Sequence, residues 1–426
     1  MKKRILTSLV LVGATIALSA CTFKYTYVVP TYPFEDLLPD SDDDGGTYNI
    51  KVWCDKSILS LTQTQIKAFE TLNNGKYVLN INAEPQSEGD AASALILDPE
   101  NGADVYCFAQ DQLSRLIIAG GLNEITGTHA DAIKADNVDG SVKAATYNDT
   151  LYAYPMTNDN GYFMYYDKRV LSDTDILDMD KVIDKVSKAG KMINYKVFNN
   201  GFYSASYFMA TGCYSHWTVD AESGNFTGYN DSYAQKGMPA MRALEKLKAS
   251  GLVAPNDNTN KLGDTAAVAI SGIWNYAAAV KALGDSLGCA PLPNFTDKDG
   301  KPYHISSFSG YKLIGVKQQT DAKKLSVCKK IAKYLSSEQC QLERFNLVGW
   351  GPSNKNVNNL EAVQTHPGLM ALREQDEFSH EQEVCPSAWW DTLLTLASSV
   401  KAGQTDTDFE KNLAIYNANL PACLDD

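Results

Sequence analysis

Residues 103–125 read ADVYCFAQDQLSRLIIAGGLNEI, and the order of elements within this stretch decides the fold class. Ala103 to Phe108 has the length and the β-branched and aromatic content of a strand. A helix from about Gln112 to Ala119 follows and stops at Gly120-Gly121, a glycine C-cap signal. Upstream, Tyr48-Asn49-Ile50-Lys51-Val52-Trp53 alternates like a strand, and Ile58, Leu59, Ile66, Phe69 and Leu72 recur at roughly helical spacing. Tyr77-Val78-Leu79-Asn80-Ile81 reads as the next strand. This β-α-β-α order predicts a mainly parallel sheet with helices on both faces and ligands at the carboxyl ends of its strands. After Leu151 the pattern changes to longer helical stretches rich in Tyr, Phe and Met, through about Leu283. There is no internal repeat.

The chain has 426 residues, 44% of them hydrophobic and 21% charged. At about 150 residues per domain this fits two or three units, with enough apolar material for true cores. Those fractions exclude a disordered, collagen-like or disulfide-scaffold chain. The net charge of −13 repels phosphate backbones, so no nucleic-acid partner is expected. Tyr (23) outnumbers Phe (14), which points to amphipathic aromatic surfaces as well as apolar packing.

The first twenty residues read as an export leader. Lys2, Lys3 and Arg4 precede an apolar run from Ile5 to Leu18, too short to be read first as a spanning helix. Leu18-Ser19-Ala20-Cys21 then matches the bacterial lipobox, with Cys21 as the lipid-bearing residue; the alternative is an ordinary leader that happens to meet a cysteine. Residues 21–46 are expected to be a tether. They carry Pro30, Pro33, Pro39 and an acidic run, and cannot bury a core. Asp40-x-Asp42-x-Asp44-Gly45 opens like a calcium-binding loop, but its twelfth position is Lys51 instead of Glu. The expectation is an exported protein, anchored by lipid at the outer face of the cytoplasmic membrane.

Eight further cysteines (54, 107, 213, 289, 328, 340, 385 and 423) are scattered singly, with no CxxC pair. They suit either bridges in an exported protein or small buried hydrophobes in an anaerobe. Glycine-rich phosphate loops and GxGxxG are absent from the sequence. His380-Glu381 begins an HExxH that Val384 fails to close. No metal or cofactor is expected. Glycosidases need only two carboxylates, so a surface-anchored hydrolase stays open as an alternative, as does a passive surface adhesin.

Four segments in order carry a resemblance. They are residues 103–125; Tyr152-Ala153-Tyr154-Pro155 with Tyr165-Tyr166-Asp167-Lys168; residues 266–274 (AAVAISGIW); and Pro291-Leu292-Pro293. Together the chain resembles the solute-binding lipoproteins of ABC transporters of the maltose/maltodextrin-binding type, from about Tyr48 to the C-terminus. The resemblance implies a periplasmic-binding-protein-like α/β fold, in which two lobes joined by a hinge close on sugar. The lobes are expected at 47–157 plus 297–350 and at 158–296 plus 351–426. The second and fourth segments would be the outward and return crossings. It also implies an oligosaccharide ligand, with maltose and maltodextrin first, a membrane permease as partner, a monomeric state and no enzymatic activity.

A pyranose has one apolar face that aromatic rings cover and a hydroxyl edge that carboxylates accept from. By resemblance, Asp55 and Lys56 are polar sugar contacts. Phe108 stands where the family usually stacks a Trp, and Asp111 where it binds hydroxyls with Asp. Asp159 matches a family Glu. Tyr203, Trp274 and Trp390 match the aromatic platform of the second lobe, with Trp389 as the alternative register. Glu88 and Asp90 lie near acidic contacts. Gln112 stands where the family has Arg, and a second family Arg is missing near Leu394, which leaves the exact sugar open. Plainer roles are also available: core packing for Phe108, Tyr203 and the tryptophans, capping for Asp55 and Asp111, and a solvated loop for Glu88, Asp90 and Asp159.

Overall fold

The structure, a computed structural model, describes residues 46–72, 78–220, 223 and 225–425. The expected leader, Cys21, the tether through Gly45 and the Asp40–Asp44 run lie outside these residues, as does Tyr77.

Two five-stranded sheets organise the chain. In the first, the order is Val78–Pro85, Thr47–Cys54, Val105–Ala109, Lys312–Val316 and Ala153–Pro155. Thr47–Cys54 pairs in parallel with both of its neighbours, whereas Lys312–Val316 runs antiparallel to both of its own. In the second, the order is Val253–Ala254, Met192–Asn194, Ala266–Ser271, Phe163–Asp167 and Leu287–Ala290. Here Phe163–Asp167 is the antiparallel strand. Each sheet thus takes one reversed strand, and in each case it is the strand that arrives from the other lobe. The fold is mixed α/β in two lobes, as expected.

The sequence reading of the first lobe matches the elements well. Val105–Ala109 is buried at all five positions, as a central strand covered on both faces requires. The helix after it, Leu113–Ile118, ends at Gly120 with φ +69°, a backbone conformation that glycine adopts without the Cβ clash. A 3₁₀ turn, Gln110–Gln112, intervenes between strand and helix. In the second lobe the strands Met192–Asn194 and Val253–Ala254 have only three and two residues, too few to show a period. There the sequence displays its helices and conceals its sheet.

The return crossing falls later than expected. Pro291-Leu292-Pro293 leads into a hairpin of Asn294–Thr296 with Pro302–His304, so it is not the crossing. Phe295 packs on Tyr207, and Ser306 N–H donates to the Ser206 carbonyl. Residues 297–306 therefore stay with the second lobe, and the chain returns over Ser307–Ser309 into Lys312–Val316. Residues 351–358 hold to the first lobe instead: Asn354 N–H donates to Gln341 Oε1 and Asn356 Nδ2 to Glu338 Oε2. A strap, Ser379–Glu381, pairs in parallel with Ser307–Ser309.

Among the described residues none of the eight cysteines is joined in a disulfide. Burial pushes the Cys54 thiol up to about 11 and those of Cys213, Cys328 and Cys340 up to about 12. They pack as small hydrophobes. Among the described residues no helix is long and apolar enough to cross a membrane.

Phe108 is fully buried in the first core, tilted against Tyr106 at 5.7 Å between ring centroids. Phe108→Ala is expected to cost about 3–5 kcal/mol of stability in urea unfolding, and a loss below about 1 kcal/mol would show that this ring is not part of the core.

Candidate functional site

The carboxyl ends of the parallel strands in both sheets face a cleft of about 680 Å³. Each rim residue follows from the strand before it. Asp55 comes directly after Thr47–Cys54 and caps the 3₁₀ turn Lys56–Ile58, accepting from Ser57 N–H at 2.7 Å and Ser57 Oγ at 2.6 Å. Glu88 and Asp90 follow Val78–Pro85. Asp90 precedes the helix Ala91–Leu97 without spending its side chain on the cap. Asp111 sits in the turn after Val105–Ala109. All four carboxylates line the cleft from the first lobe.

Gln112, where the resemblance called for Arg, does not reach the cleft. It is buried; its Nε2 donates to the carbonyls of Glu88 (2.7 Å) and Gly89 (2.9 Å), and its Oε1 accepts from Ala92 N–H. It fixes the loop that presents Glu88 and Asp90.

The second lobe contributes aromatic rings. Trp274 follows Ala266–Ser271 and is half-buried. A Cβ on Gly272 would fall 2.1 Å from its indole, so only glycine there lets the ring lie in this place. Trp390, on the helix Ser387–Ser398, lies 6.3 Å from Phe202 and 5.4 Å from Phe308 between ring centroids. Tyr203 also lines the cleft but spends its hydroxyl on Asp257 Oδ2 at 3.0 Å. Lys196 Nζ sits 3.0 Å from Asp257 Oδ1, and Asn275 donates to the Asp257 carbonyl.

Four expected contacts lie elsewhere. Phe108 is one residue short of the strand end, and Ala109 takes the position at the cleft. Trp389 turns inward on its helix, buried, with Nε1 donating to Tyr416 Oη at 3.0 Å. One step along a helix rotates a side chain by about 100°, which separates the two tryptophans. Lys56 is exposed outside the lining, because the turn that Asp55 caps carries it past the rim and leaves Ser57 there instead. Asp159 is buried within the crossings, its Oδ2 accepting from Gly351 N–H at 2.6 Å.

Sequence reasoning missed Lys196, Phe202, Asp257, Asn275, Lys312 and Gln382, all of which line the cleft. Lys196 and Asp257 follow strands too short to recognise. Phe202, beside Tyr203 and after Asn199-Asn200, offered a signal in plain view. Gln382 joins the lobes: its N–H donates to the Ser309 carbonyl, its carbonyl accepts from Gln110, and its Oε1 accepts from Asn160. Arg115 Nη1 to Ser387 Oγ (2.8 Å) and Lys143 to Glu381 (3.1 Å) add further contacts between lobes.

Among the described residues no cluster of His, Cys, Asp or Glu is disposed to hold a metal ion. The sequence profile of the bacterial extracellular solute-binding proteins matches residues 64–371, and the chain belongs to that family. It is thus a member of an exported family of binding proteins. Among curated proteins none matches. A solved structure with acarbose is 27% identical, covers 89% of this chain and 100% of its own, and superimposes with a TM-score of 0.76. The maltodextrin binding protein MalE1 from L. casei BL23 is 21% identical, with 88% and 99% covered and a TM-score of 0.70. The maltose/maltodextrin-binding domain MalE from Bdellovibrio bacteriovorus, bound to maltotriose, is 17% identical, with 88% and 100% covered and a TM-score of 0.71. At those identities the last two establish likeness of fold.

Burial raises the Asp111 carboxyl to about 7, against the pull of its own backbone N–H, the Gln382 amide and Arg115. A raised carboxyl stabilises the folded state fully below the ordinary aspartate range, near pH 4, and loses that contribution as pH rises through about 7. His129 and His366, lowered to about 4 by burial, act in the opposite direction as pH falls. Comparison with Asp111→Asn isolates the aspartate. In melting scans from pH 4 to 8 without ligand, the wild type is expected to lose midpoint relative to Asp111→Asn as pH rises, and parallel curves would contradict the assigned burial.

Proposed function

We propose that this protein captures maltodextrin-type α-1,4-glucan oligosaccharides and delivers them to the permease of an ABC importer, with Cys21 carrying its lipid anchor. The observation that carries the reading is the division of labour across the cleft. Aromatic faces of Trp274, Trp390 and Phe202 stand on one lobe, and the carboxylates Asp55, Glu88, Asp90 and Asp111 on the other. A sugar ring presents the complementary pair of surfaces, an apolar C–H face and a hydroxyl edge. The volume lies within the usual range of small-ligand clefts, about 300–1,000 Å³. The neighbours solved with acarbose and with maltotriose support the same ligand class.

The mechanism is capture by closure. Stacking on the second lobe and hydroxyl bonds to the first gain their full value only when both lobes meet the ligand, so ligand shifts the population toward the closed form. The closed pair of lobes offers the permease a joined surface. Gln112, turned away into its loop, favours a second reading in which the same receptor is tuned to another oligosaccharide. A hydrolase would turn the sugar over, whereas a receptor returns it intact.

Maltotriose and longer maltodextrins are expected to raise the melting midpoint, equivalent to about 2.7 kcal/mol at a hundredfold excess over Kd. Trp274→Ala and Trp390→Ala should each weaken binding by about tenfold, ~1.4 kcal/mol. Stabilisation by a different oligosaccharide alone would move the specificity and keep the role. No response to any sugar would end the carbohydrate reading.

A further inference from the structure

Lys312 is the first residue of the reversed strand Lys312–Val316, which places its side chain beside the carboxyl ends of the parallel strands, opposite Ala109. It is 4% exposed and lines the cleft. Its ammonium stands 3.6 Å from the centroid of the Trp350 ring and 5.2 Å from that of Trp274. Among the described residues it has no hydrogen-bond acceptor and no carboxylate within 4.0 Å. Indole faces attract a cation but accept none of its three N–H bonds in full.

Glu88 complements it on the same lobe of the cleft. It is 7% exposed, and its Oε1 is buried without a hydrogen-bond partner. Burial raises its carboxyl, and the nearby Lys312 charge is the main influence pulling it back down. A cation held only against ring faces and a buried carboxylate oxygen without a donor each leave hydrogen-bonding capacity unspent, at a cost in free energy. That cost is relieved by a group that accepts from one and donates to the other. A sugar diol does both.

We infer that Lys312 and Glu88 form a donor–acceptor pair that grips two neighbouring hydroxyls of the sugar ring seated against Trp274, with Lys312 supplying the cleft cation that Gln112 does not. This rests on the oligosaccharide reading and adds to it the residue that reads the hydroxyl edge. The ammonium donates to one hydroxyl oxygen, and the next hydroxyl donates to Glu88 Oε1. Asp159, the other carboxylate near this ammonium, holds Gly351 N–H with its Oδ2 and lies outside the cleft lining.

The test is titration calorimetry of the full-length protein with maltotriose, using wild type, Lys312→Met, Glu88→Gln and the double variant, each checked for folding by circular dichroism. Each single variant is expected to lose tenfold or more in affinity. The double variant should lose much less than the product of the two losses, and this coupling should exceed any measured in ligand-free urea unfolding. A purely structural role would instead produce equal coupling in both measurements and would overturn the pair. Wild-type binding with Lys312→Met within twofold of it would overturn the pair and leave the oligosaccharide reading standing. Should Lys312→Met not fold, Glu88→Gln decides alone, by a tenfold loss or by no change. Failure of the wild type to bind maltotriose would overturn this maltodextrin reading and the pair together.

Discussion

The buried carboxylate of Asp159 fastens the crossings on which the whole cleft depends. Its Oδ2 accepts from Gly351 N–H, while Asn158 N–H donates to the Gly351 carbonyl and Asn160 N–H to Gly310. Three separate passages of the chain between the lobes are thereby tied into one narrow waist. A carboxylate so placed gives up its hydration, and burial raises its pKa against the pull of Lys312, Thr157 and the Gly351 N–H. Hydrogen bonds to a buried charged group are stronger than neutral ones and costly to lose. Such a group holds the register of the joint between the lobes.

From that waist the site follows by strand direction. Parallel strands point their carboxyl ends the same way, and each sheet aims them at the space between the lobes. The reversed strand contributes from its amino end, which is how Lys312 comes to stand among residues that follow strands. The first lobe delivers short acidic side chains from tight turns, the second delivers large rings from helix starts. Neither set alone surrounds the cleft; the lining is shared between the lobes.

Several of these assignments were visible in residue order. The strand and helix of residues 103–121 and the strand near residue 48 declare themselves, because a buried strand and a capped helix each need a local pattern. The turns after those strands were therefore readable, and Asp55, Glu88, Asp90 and Asp111 all reach the cleft. Two of the misplacements share a cause: position along the chain was known to within one residue, but facing was not. Phe108 and Ala109 differ by one step of a strand, which reverses the side chain. Trp389 and Trp390 differ by one step of a helix. The return crossing was misplaced because a proline pair marks a turn equally well at a hairpin and at a hinge.

What the sequence by itself determined is what depends on neighbours along the chain: the α/β class, the early strand order and the acidic turns at strand ends. What only the tertiary structure decided is what depends on segments far apart. Lys312 lies more than two hundred residues from Glu88, and Gln382 touches both lobes. Whether Gln112 reaches ligand or pins a loop is settled by the partners packed around it. Local pattern encodes period and caps because those forces act within a few residues. It carries no record of which distant group will be left unsatisfied when the core closes, as Glu88 Oε1 is at the cleft.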